Sequence, residues 1–164
     1  DAAIIGILKK MGVNVSVDLE KGIVRIQGVE HLDGGEFNLS DTPDLLPVVA
    51  LLACKCEDDV IISGVKHARF KETDRVSVLA KELPKLGVSI IEREDGLKII
   101  GTKKLKQCTL NTHGDHRMAL AFTIAGMISK KGCIIEGFES VVVSYPSFKE
   151  DIHSLGGKLE AVDN

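Results

Sequence analysis

The chain has 164 residues, 44% of them hydrophobic, with no Trp, one Tyr and a formal net charge of −3. That suffices for one domain with a mainly aliphatic core, and it lacks the basic block or stripe that nucleic-acid binding needs. The longest apolar runs, 45–54 and 118–128, are too short to span a bilayer, and no signal-peptide pattern is present. A cytoplasmic protein with neither nucleic-acid nor membrane partners is expected. The four cysteines, Cys54, Cys56, Cys108 and Cys133, lack the spacing of a redox or zinc pair and are expected as reduced, mostly buried thiols.

The first element begins at once. Residues 1–8 read as helix without an initiating Met, which leads us to expect a fragment. Ile4, Leu8 and Met11 fall at helical spacing, and Gly12 suits a left-handed cap. A hairpin follows, 13–17 turning into 23–27. Next comes a short strand at 37–39. Asp41-Thr42-Pro43-Asp44 then opens a helix, with Asp or Thr as cap and Pro as its first residue, running to about 53. That helix is apolar on every side and therefore buried. A strand at 60–63 leads through a charged loop into an amphipathic helix at 76–86, which Pro84 should bend or shorten and Gly87 should cap. The hairpin 88–91 and 97–100 completes the series. The same order then recurs: a strand at 108–111, a second all-apolar helix to about 129, a strand at 133–136, and an amphipathic helix from Phe148 that ends at Gly156 with strand residues behind it.

The unit is strand, buried helix, strand, amphipathic helix, strand, strand, with a period of about seventy residues. The expected fold class is α/β (α+β), built of repeated βαβαββ units. Residues 1–36 would be the rear half of one unit, 37–101 the second and 102–164 the third, which stops about one strand short. Three sheets around a bundle of buried helices is the economical assembly.

Three polar clusters stand at helix starts. Asp44, read alone, merely complements a helix dipole. Lys71-Glu72-Thr73-Asp74-Arg75 has the composition of a solvated loop, yet it ends at a helix N-terminus, which favours anions. A Lys and an Arg reaching over such an end make a phosphate or carboxylate site. His113-Gly114-Asp115-His116-Arg117 holds two His and an Asp with no fourth ligand near in sequence, so no metal is expected. Arg117 in a first turn has the wrong sign for the dipole and is tolerated best if an anion shares its position. Asp44 and Asp115 read as equivalent corners of the repeat. All three clusters begin helices that follow strands, where α/β folds place ligands. A common cleft of Lys71, Arg75, Arg117, Asp44, Glu72 and His116 is expected to bind a small, multiply anionic substrate and to offer carboxylates for proton transfer, with no cofactor.

The same residues resemble a family. Arg69-Phe70-Lys71-Glu72-Thr73-Asp74-Arg75 is similar to the R-x-K-E-[ST]-D-R signature of EPSP synthases, and Asp115-His116-Arg117-Met118-Ala119 to their D-H-R-[MI]-A signature. Ser144-Tyr145-Pro146-Ser147-Phe148 resembles their S-[FY]-P-x-F segment, and Pro43-Asp44 the P-D that opens a helix there. Order and spacing agree over essentially the whole chain. The resemblance implies two similar domains, each an inverted α/β barrel of three βαβαββ units, with this chain as most of the second. The implied partners are phosphoenolpyruvate, shikimate 3-phosphate and the missing N-terminal half, without which the chain would be inactive. It also implies roles: Asp44 takes the proton of the shikimate 5-hydroxyl and holds the ring, Glu72 handles the proton at the methylene carbon, and His116 supports Glu72. Lys71 contacts the shikimate substrate, Arg75 and Arg117 clamp the phosphoenolpyruvate carboxylate, and His67 is a weaker candidate for shikimate contact. Val143 stands where many members carry a Lys, which puts that share of phosphate binding in doubt. Two rivals are a UDP-N-acetylglucosamine enolpyruvyl transferase and a non-catalytic anion-binding module on the same repeat. The first shares the fold but not the Lys-Glu-Thr-Asp-Arg run.

Overall fold

The structure, a computed structural model, describes residues 2–102 and 104–162. Helix α1 (Ala3–Lys10) leads into the antiparallel hairpin of β1 (Asn14–Asp18) and β2 (Ile23–Gln27). Strand β3 (Gly35–Asn38) is followed by a 3-10 turn, Pro43–Leu45, and then by helix α2 (Leu46–Ala53). Strand β4 (Val60–Ser63), a 3-10 segment at Lys66–Phe70, helix α3 (Arg75–Glu82), strand β5 (Ser89–Arg93) and strand β6 (Gly96–Ile100) complete this unit. The third unit has β7 (Thr109–Asn111), α4 (His116–Ile128), β8 (Ile134–Glu136), a 3-10 segment at Phe138–Val143 and α5 (Phe148–Ser154).

The expected three sheets are present among the described residues. The central one has strand order β3-β4-β6-β5: β3 runs parallel to β4, with Phe37 opposite Ile62, and the remaining pairs are antiparallel. The pair β7-β8 is parallel. Gly96 lets β6 lie against β4, since a Cβ there would sit 1.9 Å from the Ile62 carbonyl oxygen. The two apolar helices are mostly buried, with Val48 of α2 and Met127 and Ile128 of α4 left exposed. Leu46, Val49, Ala50 and Ala53 of α2 join Met118, Phe122 and Ala125 of α4 in one core with α3 and the central sheet. Each large aliphatic side chain so buried contributes roughly 1.5–3 kcal/mol. No helix among the described residues is long and apolar enough to cross a membrane. Burial pushes the Cys54 thiol up to about 12 and the Cys56 thiol up to about 11, so neither is reactive near neutral pH.

Two local readings change. The predicted helix 76–86 divides into α3 and a 3-10 turn, Leu83–Leu86, because Pro84 supplies no N–H for α-helical bonding. The left-handed glycine caps stand where expected, Gly87 with φ +89° among them. The strand expected behind Gly156 is absent from residues 157–162, which have no neighbouring strand to pair with, and a strand exists only within a ladder. Residues 163 and 164, also within that reading, lie outside the described residues.

Backbone hydrogen bonds fix the register of the repeat. Leu39 donates to the Ser63 carbonyl (2.9 Å) as Thr112 donates to that of Glu136 (3.0 Å), and Thr42 donates to Leu39 (3.0 Å) as Asp115 donates to Thr112 (3.1 Å). The Ser40 amide is held by the Asn38 side chain (2.9 Å) and the His113 amide by that of Asn111 (2.7 Å). This register corrects the reading of Asp44 and Asp115 as equivalents. The counterpart of Asp115 is Thr42, and the counterpart of Asp44 is Arg117.

Candidate functional site

The expected cluster forms around one guanidinium. Arg75, the first residue of α3, is 1% exposed. Its Nε donates to Asp115 Oδ2 at 2.7 Å and its Nη2 to Asp115 Oδ1 at 3.3 Å. Nη1 reaches Asp44 Oδ1 at 2.8 Å, and Nη2 also reaches Glu72 Oε2 at 2.6 Å. A cation this deeply buried holds its place only because carboxylates surround it. In this arrangement four of its five N–H donors are committed to carboxylates and almost none of its surface is open. It is the organiser of the carboxylates.

Asp44 sits one third exposed in the 3-10 turn before α2, where Thr42 makes no side-chain cap bond. Thr42 holds the expected N-cap position with Pro43 behind it, but without a side-chain bond, and Asp44 turns to cations. Besides Arg75 it meets Arg117 Nη2 at 3.1 Å and Lys71 Nζ at 3.5 Å. Partial burial pushes its carboxyl up. The Arg75 hydrogen bond and the charges of Arg117, Lys71 and Arg75 outweigh that and hold it below the ordinary carboxylate range. The wrong-signed Arg117 thus does share an anion, and that anion is Asp44.

Both helix N-termini offered as anion sites are already capped by the chain itself. The Asp74 side chain accepts from the Ser77 amide (3.0 Å) at the start of α3, and the Asp115 side chain accepts from the Arg117 amide (2.9 Å) at the start of α4. Any external anion must be met by side chains. Lys71 and Arg117 are the candidates, each with about a third of its side chain exposed (37% and 32%). Glu72 is more open, and His116 Nδ1 stands 3.9 Å from its Oε1. His67 lies exposed in the 3-10 segment Lys66–Phe70, and none of the hydrogen bonds or ion pairs of the cluster involves it. Val143 is exposed and brings no charge.

Two contributors escaped the sequence reading. Asp115 is fully buried and joins Arg75 to α4, and its signal was available as an Asp directly before a helical run. Arg69 braces the charged loop from below: Nη1 meets Asp74 (3.0 Å) and Glu92 (2.8 Å), while Nη2 and Nε hold the carbonyls of Arg93 and Glu94. Nothing in the local sequence names those strand partners, which only the β5–β6 hairpin brings near.

Residues 1–152 match the family described as EPSP synthase (3-phosphoshikimate 1-carboxyvinyltransferase). The chain is 43% identical over 162 residues to a 3-phosphoshikimate 1-carboxyvinyltransferase of Methanococcus vannielii, covering 99% of this chain and 37% of that protein. It is 42% identical over 160 residues to one of Nitrosopumilus maritimus, again covering 37% of the relative. Among solved structures it is similar to an EPSP synthase of Acinetobacter baumannii, with a TM-score of 0.82, 28% identity, and 93% of this chain and 38% of that one covered. The chain thus spans a little over a third of the length of the relatives it matches.

Proposed function

The chain belongs to the EPSP synthase family, and from that premise we propose that it supplies part of the site that moves the enolpyruvyl group of phosphoenolpyruvate to the 5-hydroxyl of shikimate 3-phosphate, releasing phosphate. The observation that carries this is one cluster in which an Asp one third exposed lies between two reachable cations, beside a Glu backed by a His. The rest of the substrate contacts are assigned to protein outside this chain. The chain itself is read as most of the second of two similar domains, with units at 1–36, 37–101 and 102–164, working in the cytoplasm.

In this reading Asp44 accepts the proton of the 5-hydroxyl as its oxygen bonds to C2 of phosphoenolpyruvate. Glu72 gives a proton to the C3 methylene, and it takes one back from the resulting methyl as the C2–O bond to phosphate breaks. His116 orients Glu72. Lys71 holds the shikimate substrate near the reacting hydroxyl, and His67 is a peripheral contact. Arg117 takes the phosphoenolpyruvate carboxylate. Arg75 holds Asp44 and Glu72 and joins Arg117 on that carboxylate, through its remaining Nη1 hydrogen or by releasing one of the carboxylates it holds. The cations that keep Asp44 ionised also lower its basicity. When substrate anions draw Arg117 and Lys71 away, Asp44 becomes the stronger base at the moment a base is needed.

Phosphate release from the two substrates tests this, with the chain alone and mixed with the remaining part of the protein. We expect turnover in the mixture and none from the chain alone. Glu72→Gln should lower kcat by about 10²–10⁴-fold, the usual worth of a proton-transfer group. A folded, associated mixture that released no phosphate would leave only an anion-binding module.

A further inference from the structure

We propose that Glu82 and His113 form a positioning pair that sets Arg117 and His116 in place. The inference rests on the functional reading above for what those two residues do, and on the following geometry for how they are held.

Glu82 is the last residue of α3, it is charged, and it is 1% exposed. Its Oε2 accepts from the Asn111 amide at 2.9 Å and from Lys85 Nζ at 2.5 Å, and its Oε1 stands 3.4 Å from His113 Nε2. Burial pushes this carboxyl up. Lys85, the Asn111 amide and His113 outweigh that and hold it below the ordinary range, so the group stays ionised at the junction. A buried carboxylate with those partners costs desolvation that an apolar residue there would not.

The repeat shows what the position needs in the absence of that task. Met11 and Leu86 accept equivalent bonds, from the Asp33 and Lys106 amides, which places α1 on α3 and makes Ile7 the counterpart of Glu82. Ile7 is buried and shares a hollow with Phe37 and Asn38, the latter being the counterpart of Asn111. The fold therefore accepts a plain aliphatic side chain at this corner. The second unit has a carboxylate there, aimed at the turn of the third unit that carries the candidate anion-binding residues.

That turn is under demand. His113 has φ +52°, the one non-glycine residue at positive φ among the described residues, a conformation that costs about 1 kcal/mol or more unless the surroundings hold it. Its amide bonds Asn111 Oδ1 and its ring faces Glu82. Two residues on, Asp115 bonds Arg75 and caps α4. So α3 grips the turn at both of its ends, Arg75 on Asp115 and Glu82 on Asn111 and His113. Seven residues of helix, roughly 10 Å, set the distance between the two grips. Arg117 and His116 follow directly and inherit that position.

The test uses Glu82→Gln, which keeps shape and an acceptor but loses the charge, and His113→Gly, which is at ease at positive φ and loses only the ring. Full-length protein is the material. For Glu82→Gln we expect the KM for phosphoenolpyruvate to rise about tenfold, the effect of one charge-assisted contact. The KM for shikimate 3-phosphate should stay within about twofold, because Lys71 is held elsewhere, and kcat should fall by no more than about tenfold, through His116 and its hold on Glu72. His113→Gly should raise the same KM about threefold. Amide hydrogen exchange without substrate gives a second readout: Asn111 and Arg117 should exchange about tenfold faster in Glu82→Gln, with Asp151 in α5 unchanged. If the wild type turns over neither substrate, the functional reading has failed, and exchange alone decides the positioning claim. Unchanged exchange at both amides overturns it. So does a uniform rise across the chain with a fall in Tm, which marks a structural role alone.

Discussion

The corner where β3 gives way to α2 and the corner where β7 gives way to α4 share a pattern of hydrogen bonds and differ in their chemistry. Position by position, Thr42 stands for Asp115, Asp44 for Arg117 and Ile7 for Glu82, as the paired hydrogen bonds dictate. The second unit's corner presents an anion and the third's a cation, and these two equivalent residues meet at 3.1 Å. Two corners with matching hydrogen bonds face one another, and the site arises from the residues in which they differ. A symmetric pair would have set Asp against Asp or Arg against Arg, which repel at this distance.

The sharpest way to break the comparison is to make Asp115 resemble its counterpart, Thr42. Asp115 is fully buried and carries two of the four bonds to Arg75. Removing one partner of a buried ion pair leaves the other uncompensated, typically at about 3–5 kcal/mol. Asp115→Thr should lower stability by that order, read from the denaturant midpoint at unchanged slope. A loss below about 1 kcal/mol would mean that Asp44 and Glu72 carry Arg75 without it.

Asp44→Asn probes the other corner and should act on chemistry rather than stability. Its carboxylate is partly exposed, so its ion pairs contribute roughly 1 kcal/mol or less to folding. Turnover should fall by about 10²-fold or more if it is the base. The pH response has a definite sign. A carboxyl whose folded-state value is depressed stabilises the fold above its unfolded value and loses that contribution as pH falls through the folded one. The wild type should therefore lose stability over the acid range below the ordinary carboxylate region more steeply than Asp44→Asn does, with the two converging at the lowest pH. Parallel acid limbs would show that the three cations around Asp44 do not couple to folding.

The parts of this that were legible in the sequence are those set by short-range pattern. Strand β4, the two apolar helices, the glycine caps and the break at Pro84 follow from periodicity and from backbone restrictions at single residues. Most of the cluster's members were legible too, because they sit in three compact runs, although the place of Asp115 at its centre was not. Which members face a ligand was not. Arg75 and Lys71 are four residues apart in one loop, yet one is 1% exposed and the other 37%. That division depends on Asp115, forty positions away in sequence, and on Arg69 anchored to strand β5. The two-residue error in matching Asp44 to Asp115 has the same origin: carboxylate identity suggested the match, and the hydrogen-bond register, invisible in sequence, sets it.

The smallest expected effect belongs to His67, and it sharpens the boundary of the site. His67 shares the second unit with Asp44 and Lys71, but it is exposed and stands outside the web that ties Asp44, Lys71, Glu72, Arg75, Asp115 and Arg117 together. An exposed side chain away from such a network contributes within about 0.5 kcal/mol to stability. A single peripheral contact to a multiply charged substrate is worth about as little as an exposed ion pair. His67→Ala should leave the midpoint of unfolding in place and raise the KM for shikimate 3-phosphate by no more than about threefold, with kcat unchanged. A tenfold rise confined to that KM would extend the working surface of the second unit beyond the Arg75 web. The site's edge would then be set by substrate reach, and the carboxylate network would mark only its centre.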